Sequence, residues 1–462
     1  MIRRSLRAAT ARRAVALGAA LAAWAPAPAR ALPASPRAAF FHATLRSSSP
    51  AAGSTLDRAP DRIRLVFSEE IEPSLGSIRL IDPSGRTTRL AASGDPRDVS
   101  ALVAPTPAGL ANGSYRVEWR IVSEDGHPMG GSFGFTIATS GGASASAAAP
   151  AAAPTRIPET AAVLAPSAPA APSTARNDSA LEGALEGALV LPAVLRGLGM
   201  GTLAALAGLL GFLATRRDAE PEPRAERLTT RLATAAAVLL ALHFVAWAVD
   251  VVPDHSLGGD QLAALLTSDV GRVELARTGL ALLSAWALLL ARRPRFALGF
   301  AVATLLVSGT AGHSAAIHPE WAVPARALHL VAVAGWLGGL LWLIVLERRS
   351  AAVVTREARR VSSVALAAVI AVAFSGVVQT RLFLPVWADL VRSTYGAIVL
   401  AKVAGLGVLV LFGAHHRYRV LPRLADMDAP EELARSLRRE VAVMSIVILL
   451  GGLLAYVAPP IH

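Results

Sequence analysis

The chain has 462 residues, of which 53% are hydrophobic and only 17% are charged. An ordinary soluble domain carries about 25% charged residues, so this composition excludes a disordered protein and argues against a purely soluble enzyme. The net charge is +12, but the arginines fall in short connections between long apolar runs, which is a pattern of membrane topology rather than of nucleic-acid binding.

Residues 1–31 predict a secretory signal peptide. Arginines are concentrated before residue 14, an apolar segment follows over residues 14–25, and Ala29-Arg30-Ala31 forms an A-x-A cleavage site. An uncleaved anchor helix is the alternative. Both interpretations place the next segment outside the cytoplasm.

Residues 42–138 predict a small all-β domain, a Greek-key sandwich. Apolar and polar residues alternate, as in half-buried strands, over residues 63–67, 115–121 and 133–137. Turn sequences such as Asp82-Pro83-Ser84-Gly85 separate these stretches. The Ala/Pro-rich stretch 139–187 cannot bury a core, and we interpret it as a linker that lets the exported domain move over the membrane surface.

Residues 188–460 predict an α-helical membrane domain with eight transmembrane helices. The apolar segments, each close to the roughly 20 residues that span a bilayer, are 189–214, 232–252, 273–291, 296–313, 326–346, 361–381, 395–414 and 441–458. Arginine-rich connections, such as the one with Arg292, Arg293 and Arg295, alternate with arginine-poor ones. The positive-inside rule therefore predicts a multi-pass inner-membrane protein whose N-terminal domain is periplasmic.

Histidines are the notable ligand type, because the chain has no cysteine. Three of them, His243, His313 and His329, lie within or at the ends of the predicted spans, and the only lysine, Lys402, lies inside the seventh. Imidazole is a ligand for cupric ions, and an ionisable group inside a membrane is a functional candidate by default. A structural hydrogen bond to a neighbouring helix is the alternative for each histidine. For Lys402 the alternative is snorkelling toward the interface.

Other residues of the spans favour structural roles. The glycines within 335–339 predict close helix packing, and for Trp336 core packing is favoured over a direct role. The adjacent His415 and His416 precede an arginine at the predicted cytoplasmic end, which favours interfacial anchoring.

A second candidate ligand group lies in the predicted sandwich. Asp125 and His127 are two residues apart on a strand-to-turn segment, so their side chains point in similar directions and can hold one ion. A further histidine, His42, begins the domain. Asp-Gly is also an ordinary turn sequence, which is the structural alternative for this segment.

The same residues resemble two known families. Residues 42–138 resemble the CopC family of periplasmic copper-binding proteins, through HATL at 42–45, YRVEWRIVSEDGHP at 115–128 and GSF at 131–133. The remainder is similar to the CopD family of copper-resistance membrane proteins, through Gly312-His313, HLVAVAGWLGG at 329–339, and Tyr395-Gly396 with Lys402. The whole chain therefore resembles CopC–CopD fusion proteins.

The resemblance implies a seven-stranded, cupredoxin-like or Ig-like sandwich of the CopC type. It also implies that copper, as Cu(II), is bound through His42, Asp125 and His127. In the family this histidine is usually the mature N-terminus, so that its α-amine also binds copper. Here the A-x-A site ends at Ala31, so either the chain is trimmed further or the amine ligand is missing and the site is weaker.

We therefore expect a non-enzymatic protein of copper homeostasis. The sandwich captures Cu(II), and the membrane domain transports copper, in the direction of import, through His243, His313 and His329. The expected partners are the copper ion, the lipid bilayer and periplasmic copper chaperones, with no nucleic acid, and the oligomeric state is left open. The alternatives are a membrane haem or electron-transfer protein resembling a cupric reductase, and a copper buffer or sensor that does not transport.

Overall fold

A computed structural model describes residues 45–123, 126, 128–139, 190–216, 222–252, 258–310, 319–423 and 430–457. The signal peptide and nearly all of the linker lie outside the described residues. So do four of the predicted site residues, His42, Asp125, His127 and His313. The predictions about them stay predictions.

The N-terminal domain is an all-β sandwich of two sheets. Its strands are β1 (Leu45–Ser49), β2 (Thr55–Leu56), β3 (Arg62–Phe67), β4 (Ser77–Ile81), β5 (Thr87–Leu90), β6 (Ser93–Asp95), β7 (Asp98–Pro105), β8 (Gly113–Val122) and β9 (Pro128–Ile137). One sheet has the order β1-β3-β7-β6 and the other β2-β9-β8-β4-β5. Only β2 and β9 pair in parallel among the described neighbours. Nine described strands exceed the seven that the resemblance implies, and β2 and β6 are only two and three residues long.

Alternation of apolar and polar residues builds the core of the sandwich. In β3, Ile63, Leu65 and Phe67 are fully buried, whereas the residues between them are not. The same alternation in β8 buries Tyr115 and Val117 against the opposite sheet. Because successive side chains of a strand point to opposite faces, this register follows directly from the sequence.

The turn between β4 and β5 is closed by the side chain of Asp82. Its Oδ1 accepts hydrogen bonds from the main-chain amides of Ser84, at 2.9 Å, and Arg86, at 3.0 Å. Gly85 has φ of 84°, a left-handed conformation that glycine adopts without a steric penalty. The predicted turn at residues 82–85 is therefore confirmed.

The second half of the chain is helical. Its α-helices are α1 (Val190–Ala214), α2 (Pro223–Val251), α3 (Gly259–Thr267), α4 (Asp269–Leu289), α5 (Pro294–Val307), α6 (Pro319–Val345), α7 (Ala351–Phe383), α8 (Asp389–Arg392), α9 (Thr394–His415) and α10 (Pro430–Leu454). After α9 the chain continues as a π-helical turn, His416–Val420. A helix accompanies each of the eight predicted apolar segments.

Five of the described helices are long and apolar enough to cross a membrane, by length and composition: α1, α2, α6, α7 and α9. Helix α5 is apolar but shorter. Helices α4 and α10 interrupt their apolar runs with ionisable residues, among them Glu274, Arg277 and Glu440. These features suggest a multi-pass membrane protein, and the number of eight spans stays a prediction.

Close packing of α1 against α6 depends on glycine. A Cβ atom on Gly338 would lie 2.2 Å from the carbonyl carbon of Gly208, and one on Gly339 would lie 2.9 Å from a methyl group of Val361. Gly335 makes only an ordinary contact. The small-residue prediction for this segment is confirmed at Gly338 and Gly339.

Candidate functional site

A buried polar cluster lies in the helical domain, and we call it the outer cluster. Its side chains are almost inaccessible to solvent, and they come from α2, from α4 and from the turn after α5. The members are His243, Glu274, Arg277 and Ser308. Buried ionisable groups inside a membrane are costly, so their retention points to a function.

Arg277 organises the outer cluster. Its Nη1 lies 2.6 Å from each carboxylate oxygen of Glu274, and its Nε donates a hydrogen bond of 3.0 Å to the hydroxyl of Ser308. Its Nη2 is buried and has no hydrogen-bond partner. The two opposite charges therefore meet in a buried site, on which the charge of Arg196 also acts, and the two N–H groups of Nη2 are left without an acceptor among the described residues.

His243 presents one nitrogen to this ion pair. Its Nδ1 lies 3.1 Å from the carbonyl oxygen of Pro192, and because a carbonyl only accepts, Nδ1 carries a proton. Its Nε2 lies 3.5 Å from Oε2 of Glu274 without a hydrogen bond. An imidazole nitrogen and a carboxylate oxygen that converge in this way can share a proton or ligate a metal ion.

His329 and Lys402 lie in a second polar region, which shares Arg326 as an electrostatic neighbour with the outer cluster. Nδ1 of His329 is 3.0 Å from the hydroxyl of Ser375, which itself donates to a main-chain carbonyl. The charge of Arg326 acts on both His329 and Lys402. No salt bridge joins Lys402 to a carboxylate among the described residues, and the charges of Glu274 and Arg277 in the outer cluster also act on Arg326.

The structure therefore does not gather the two described path histidines, His243 and His329, into one group. His243 contacts α1 and α4, whereas His329 contacts α7. Within the described ranges, no group of three or more His, Asp or Glu side chains is arranged to hold a metal ion. The described histidines and carboxylates of the helical domain therefore offer a copper ion pairs of ligands only, and the thioether of Met200 lies beside the outer cluster, 3.5 Å from Oγ of Ser308.

A second buried polar cluster, the inner cluster, consists of Trp336, His416, Ser436 and Glu440. The indole of Trp336 donates to Oε1 of Glu440 at 3.1 Å. Nδ1 of His416 lies 3.1 Å from Oε2 of Glu440, out of line for a hydrogen bond, and its Nε2 lies 2.8 Å from the hydroxyl of Ser436. Trp336 thus combines core packing with a polar contact.

The anchoring prediction is wrong for His416. The residue is only 8% exposed, whereas His415 is exposed. Glu440 is 1% exposed, and a buried carboxylate needs polar partners. The π-helical turn that begins at His416 lies beside this carboxylate, which accounts for its inward position.

Three functional candidates were missed by reasoning from the sequence. Glu274 and Arg277 stand three residues apart inside the predicted span 273–291, a spacing that places them on one helix face. Charged residues in an apolar span were the signal that could have identified them. Glu440 directly precedes an apolar segment and follows Arg439. Nothing in the sequence therefore distinguishes this buried carboxylate from an ordinary solvent-exposed charge.

The sandwich contacts the helical domain where α2 ends. The indole N–H of Trp247 donates a hydrogen bond of 3.2 Å to the carbonyl of Gly126. The guanidinium of Arg120 donates to the main-chain carbonyl of Asp250 and lies 3.7 Å from its carboxylate. Gly126 therefore contacts α2. In the sequence it stands between the candidate ligands Asp125 and His127, which lie outside the described residues.

The start of α4 completes this contact, which we call the docking interface. A carboxylate oxygen of Glu72 accepts from the main-chain amide of Asp269 at 3.2 Å, where the positive end of the helix dipole favours an anion. An apolar cluster from both parts fills the centre: Leu75, Val122, Trp247, Ala248, Val251, Val252, Leu265 and Val270.

A β-sandwich attached to a helical domain with apolar spans and buried histidine–carboxylate pairs defines a class of membrane protein with an appended soluble domain. Residues 45–138 match the family profile described as CopC domain, and residues 355–454 match the profile described as Copper resistance protein D. The chain belongs to the CopC family and joins a CopC domain to a CopD region, which confirms the resemblance seen in the sequence.

Two relatives, a copper resistance protein C and a copper resistance protein D, agree with this assignment. Copper resistance protein C of Xanthomonas campestris pv. juglandis is 36% identical over 109 residues, which cover 21% of this chain and 82% of that protein. Copper resistance protein D of Pseudomonas syringae pv. tomato is 29% identical over 170 residues, covering 34% of this chain and 55% of that protein. The crystal structure of CopC from Methylosinus trichosporium OB3b has 31% identity, covers 22% of this chain and 98% of that one, and gives a TM-score of 0.21. Family membership supports copper binding and a role in copper handling.

Proposed function

We propose that this protein is a copper importer of the bacterial inner membrane and not an enzyme. The sandwich captures Cu(II) on the periplasmic side through His42, Asp125 and His127, and the helical domain carries copper toward the cytoplasm. The observation that carries the proposal is the position of Gly126, whose turn lies on the end of α2 above the outer cluster.

The arrangement of the helices supports this orientation. The sandwich contacts the end of α2 and the start of α4, and the connection between these two helices is one that the arginine pattern places outside. At the opposite end of α2, Arg224 and Glu222 form ion pairs with Glu347 and Arg349, at 3.2 and 2.9 Å. This arginine-rich end fits the cytoplasmic face.

Buried polar groups occur at two depths between these ends. The outer cluster lies near the sandwich, and the inner cluster lies where α9 ends and α10 has begun. Each contains a histidine beside a buried carboxylate, and imidazole is suited to both Cu(II) and Cu(I). Imidazole ligands are therefore available to copper at both depths, from His243 and His416. His313 and His329 are further candidates for the same route.

Total cellular copper in a host with and without the protein tests the proposal. We expect higher copper when the protein is present, and the gain to be lost in His243→Ala and in the double variant His313→Ala/His329→Ala. His415→Ala is the matched control: its imidazole is exposed and touches the inner cluster only through an edge-on ring contact with His416, at 6.0 Å between centroids, and it should transport normally. Lower copper would mean export, and unchanged copper would refute transport.

A further inference from the structure

Gly126 approaches the helical domain so closely that an added side chain would crowd its neighbours. Its φ is +88°, and a Cβ atom added to it would lie 2.7 Å from a methyl group of Val270. Both the backbone conformation and the contact therefore favour glycine. On its other side its carbonyl accepts from the indole of Trp247, so the turn is held between α2 and α4.

The two helix residues that touch Gly126 lie directly above the outer cluster. Trp247 follows His243 by four residues on α2, and Val270 precedes Glu274 by four residues on α4. Four residues are about one helical turn, a rise of about 6 Å on the same face. One turn beneath the contact, Nε2 of His243 and Oε2 of Glu274 converge to 3.5 Å.

We propose that the sandwich works while docked, and that Trp247 and Val270 form a plug between its Gly126 turn and His243. Copper that leaves the sandwich passes the plug when the Trp247 indole turns away from the Gly126 carbonyl, and it then binds Nε2 of His243. This is an exchange of ligands without a change in oxidation state. The route of the cargo rests on the proposed function, whereas the docking does not.

Three features of the docking interface favour a lasting contact over a transient encounter. Its centre is apolar, and Val122 and Val251 in it are fully buried. Its polar contacts at Arg120 and Glu72 are satisfied from the helical domain. A domain that moved freely over the membrane would have to expose this apolar surface at each departure, at a cost proportional to the area exposed.

An engineered disulfide tests the docking directly. The position of a Cβ atom on Gly126 is 3.9 Å from Cβ of Val270, within the range of about 3.5–4.5 Å found in disulfides. The full-length chain has no cysteine of its own, so Gly126→Cys/Val270→Cys reports on this pair alone. We expect most chains to lose both free thiols under mild oxidation without added copper. The two single variants are the controls and should keep theirs.

Copper uptake by the cross-linked chain then tests whether the docked state is the working state. We expect uptake within about twofold of the same sample after reduction. Uptake that is abolished by the cross-link and restored by reduction would overturn the proposal, because the sandwich would then have to leave the helices. Absence of uptake by the unmodified chain would instead refute the proposed function, while the yield of the cross-link would still decide the docking.

A cysteine at residue 126 must adopt a left-handed φ and could impair folding, so a second pair of positions that leaves Gly126 unchanged is tested as well. Glu72→Cys/Asp269→Cys replaces two side chains at the edge of the docking interface, and a short bis-methanethiosulfonate reagent should join them. Failure of both pairs to cross-link would overturn the proposal. Ser74→Cys/Asp269→Cys is the control for non-specific reaction of the reagent, because the Ser74 side chain is exposed. Its cross-linking yield should be lower than that of the Glu72→Cys/Asp269→Cys pair, since Glu72 contacts α4.

Discussion

Replacing Arg277 with methionine is expected to destabilise the helical domain strongly, because it leaves the carboxylate of Glu274 buried without its counter-ion. Both oxygens of Glu274 lie 2.6 Å from Nη1 of Arg277, and the two side chains are only 4% and 1% exposed. Breaking a buried ion pair by removing one partner costs about 3–5 kcal/mol. At about 2–4 °C per kcal/mol for a domain of this size, the midpoint of thermal unfolding should fall by on the order of 10 °C.

The same helix supplies a matched control. Arg272 pairs with Asp269 at the same spacing of three residues, but these side chains are 63% and 84% exposed. An exposed pair contributes about 0–1 kcal/mol, so Arg272→Met should shift the midpoint by only a few degrees. Removing both charges in Glu274→Gln/Arg277→Met should recover most of the stability lost in Arg277→Met.

Thermal unfolding of the purified full-length chain in detergent, followed by circular dichroism at 222 nm, measures all three variants. Equal shifts for Arg277→Met and Arg272→Met would refute the reasoning, since burial would then not decide the cost. A double variant that is no more stable than Arg277→Met would also contradict it, because the loss would then come from packing and not from an unpaired charge.

Two further predictions concern packing and charge. Gly338→Ala should lower the free energy of unfolding by about 1–3 kcal/mol or more, because its Cβ would lie 2.2 Å from the backbone of Gly208. Gly376→Ala, with nothing within 4 Å of the added Cβ, should stabilise α7 by up to about 1 kcal/mol. Equal thermal midpoints for the two variants would contradict this. In the sandwich, the hydrogen bond from Arg64 holds the pKa of Asp95 below its ordinary value, so the stabilisation is complete above the unfolded pKa of about 3.9 and is lost as the pH falls through the lower folded pKa. The difference in hydrogen-exchange protection of β3 between the wild-type chain and Arg64→Met should therefore shrink below about pH 4, and a difference independent of pH would count against it.

Local patterns in the sequence predicted much of the fold. Period-two alternation identified the central strands β3 and β8 because their side chains face alternately core and solvent, as at Leu65 and Val117. The short strands β2 and β6 went unrecognised, since two or three residues carry no period. Apolar length likewise located the helices but not their starts, because α2 begins at Pro223 with a polar, arginine-bearing turn.

The candidate site was predictable only in part, because it depends on which helices meet. His243 was recognised as an imidazole inside a span, and it is fully buried. Its partner Glu274 belongs to another helix, and a single sequence does not state that α2 and α4 pack together. The same reason hid Glu440, whose partners His416 and Trp336 come from two other parts of the chain.

The predicted role of the linker can be compared with the docking interface. A semi-extended segment of residues 139–187 was expected to let the sandwich move over the membrane surface. In the structure, Trp247 and Val270 contact Gly126, and the movement of the sandwich stays a prediction. A long linker is compatible with this arrangement, because it also allows the sandwich to reach α2 and α4 rather than the neighbouring α1.

Copper accumulation by sealed proteoliposomes that contain only the purified full-length chain tests the central claim most directly. With the sandwich outside and Cu(II) supplied there, the account predicts that copper appears in the lumen, and that His243→Ala reduces the initial rate at least tenfold while His415→Ala does not. Copper that stays bound outside at one equivalent per sandwich, with none in the lumen, would contradict the account and identify the protein as a copper buffer.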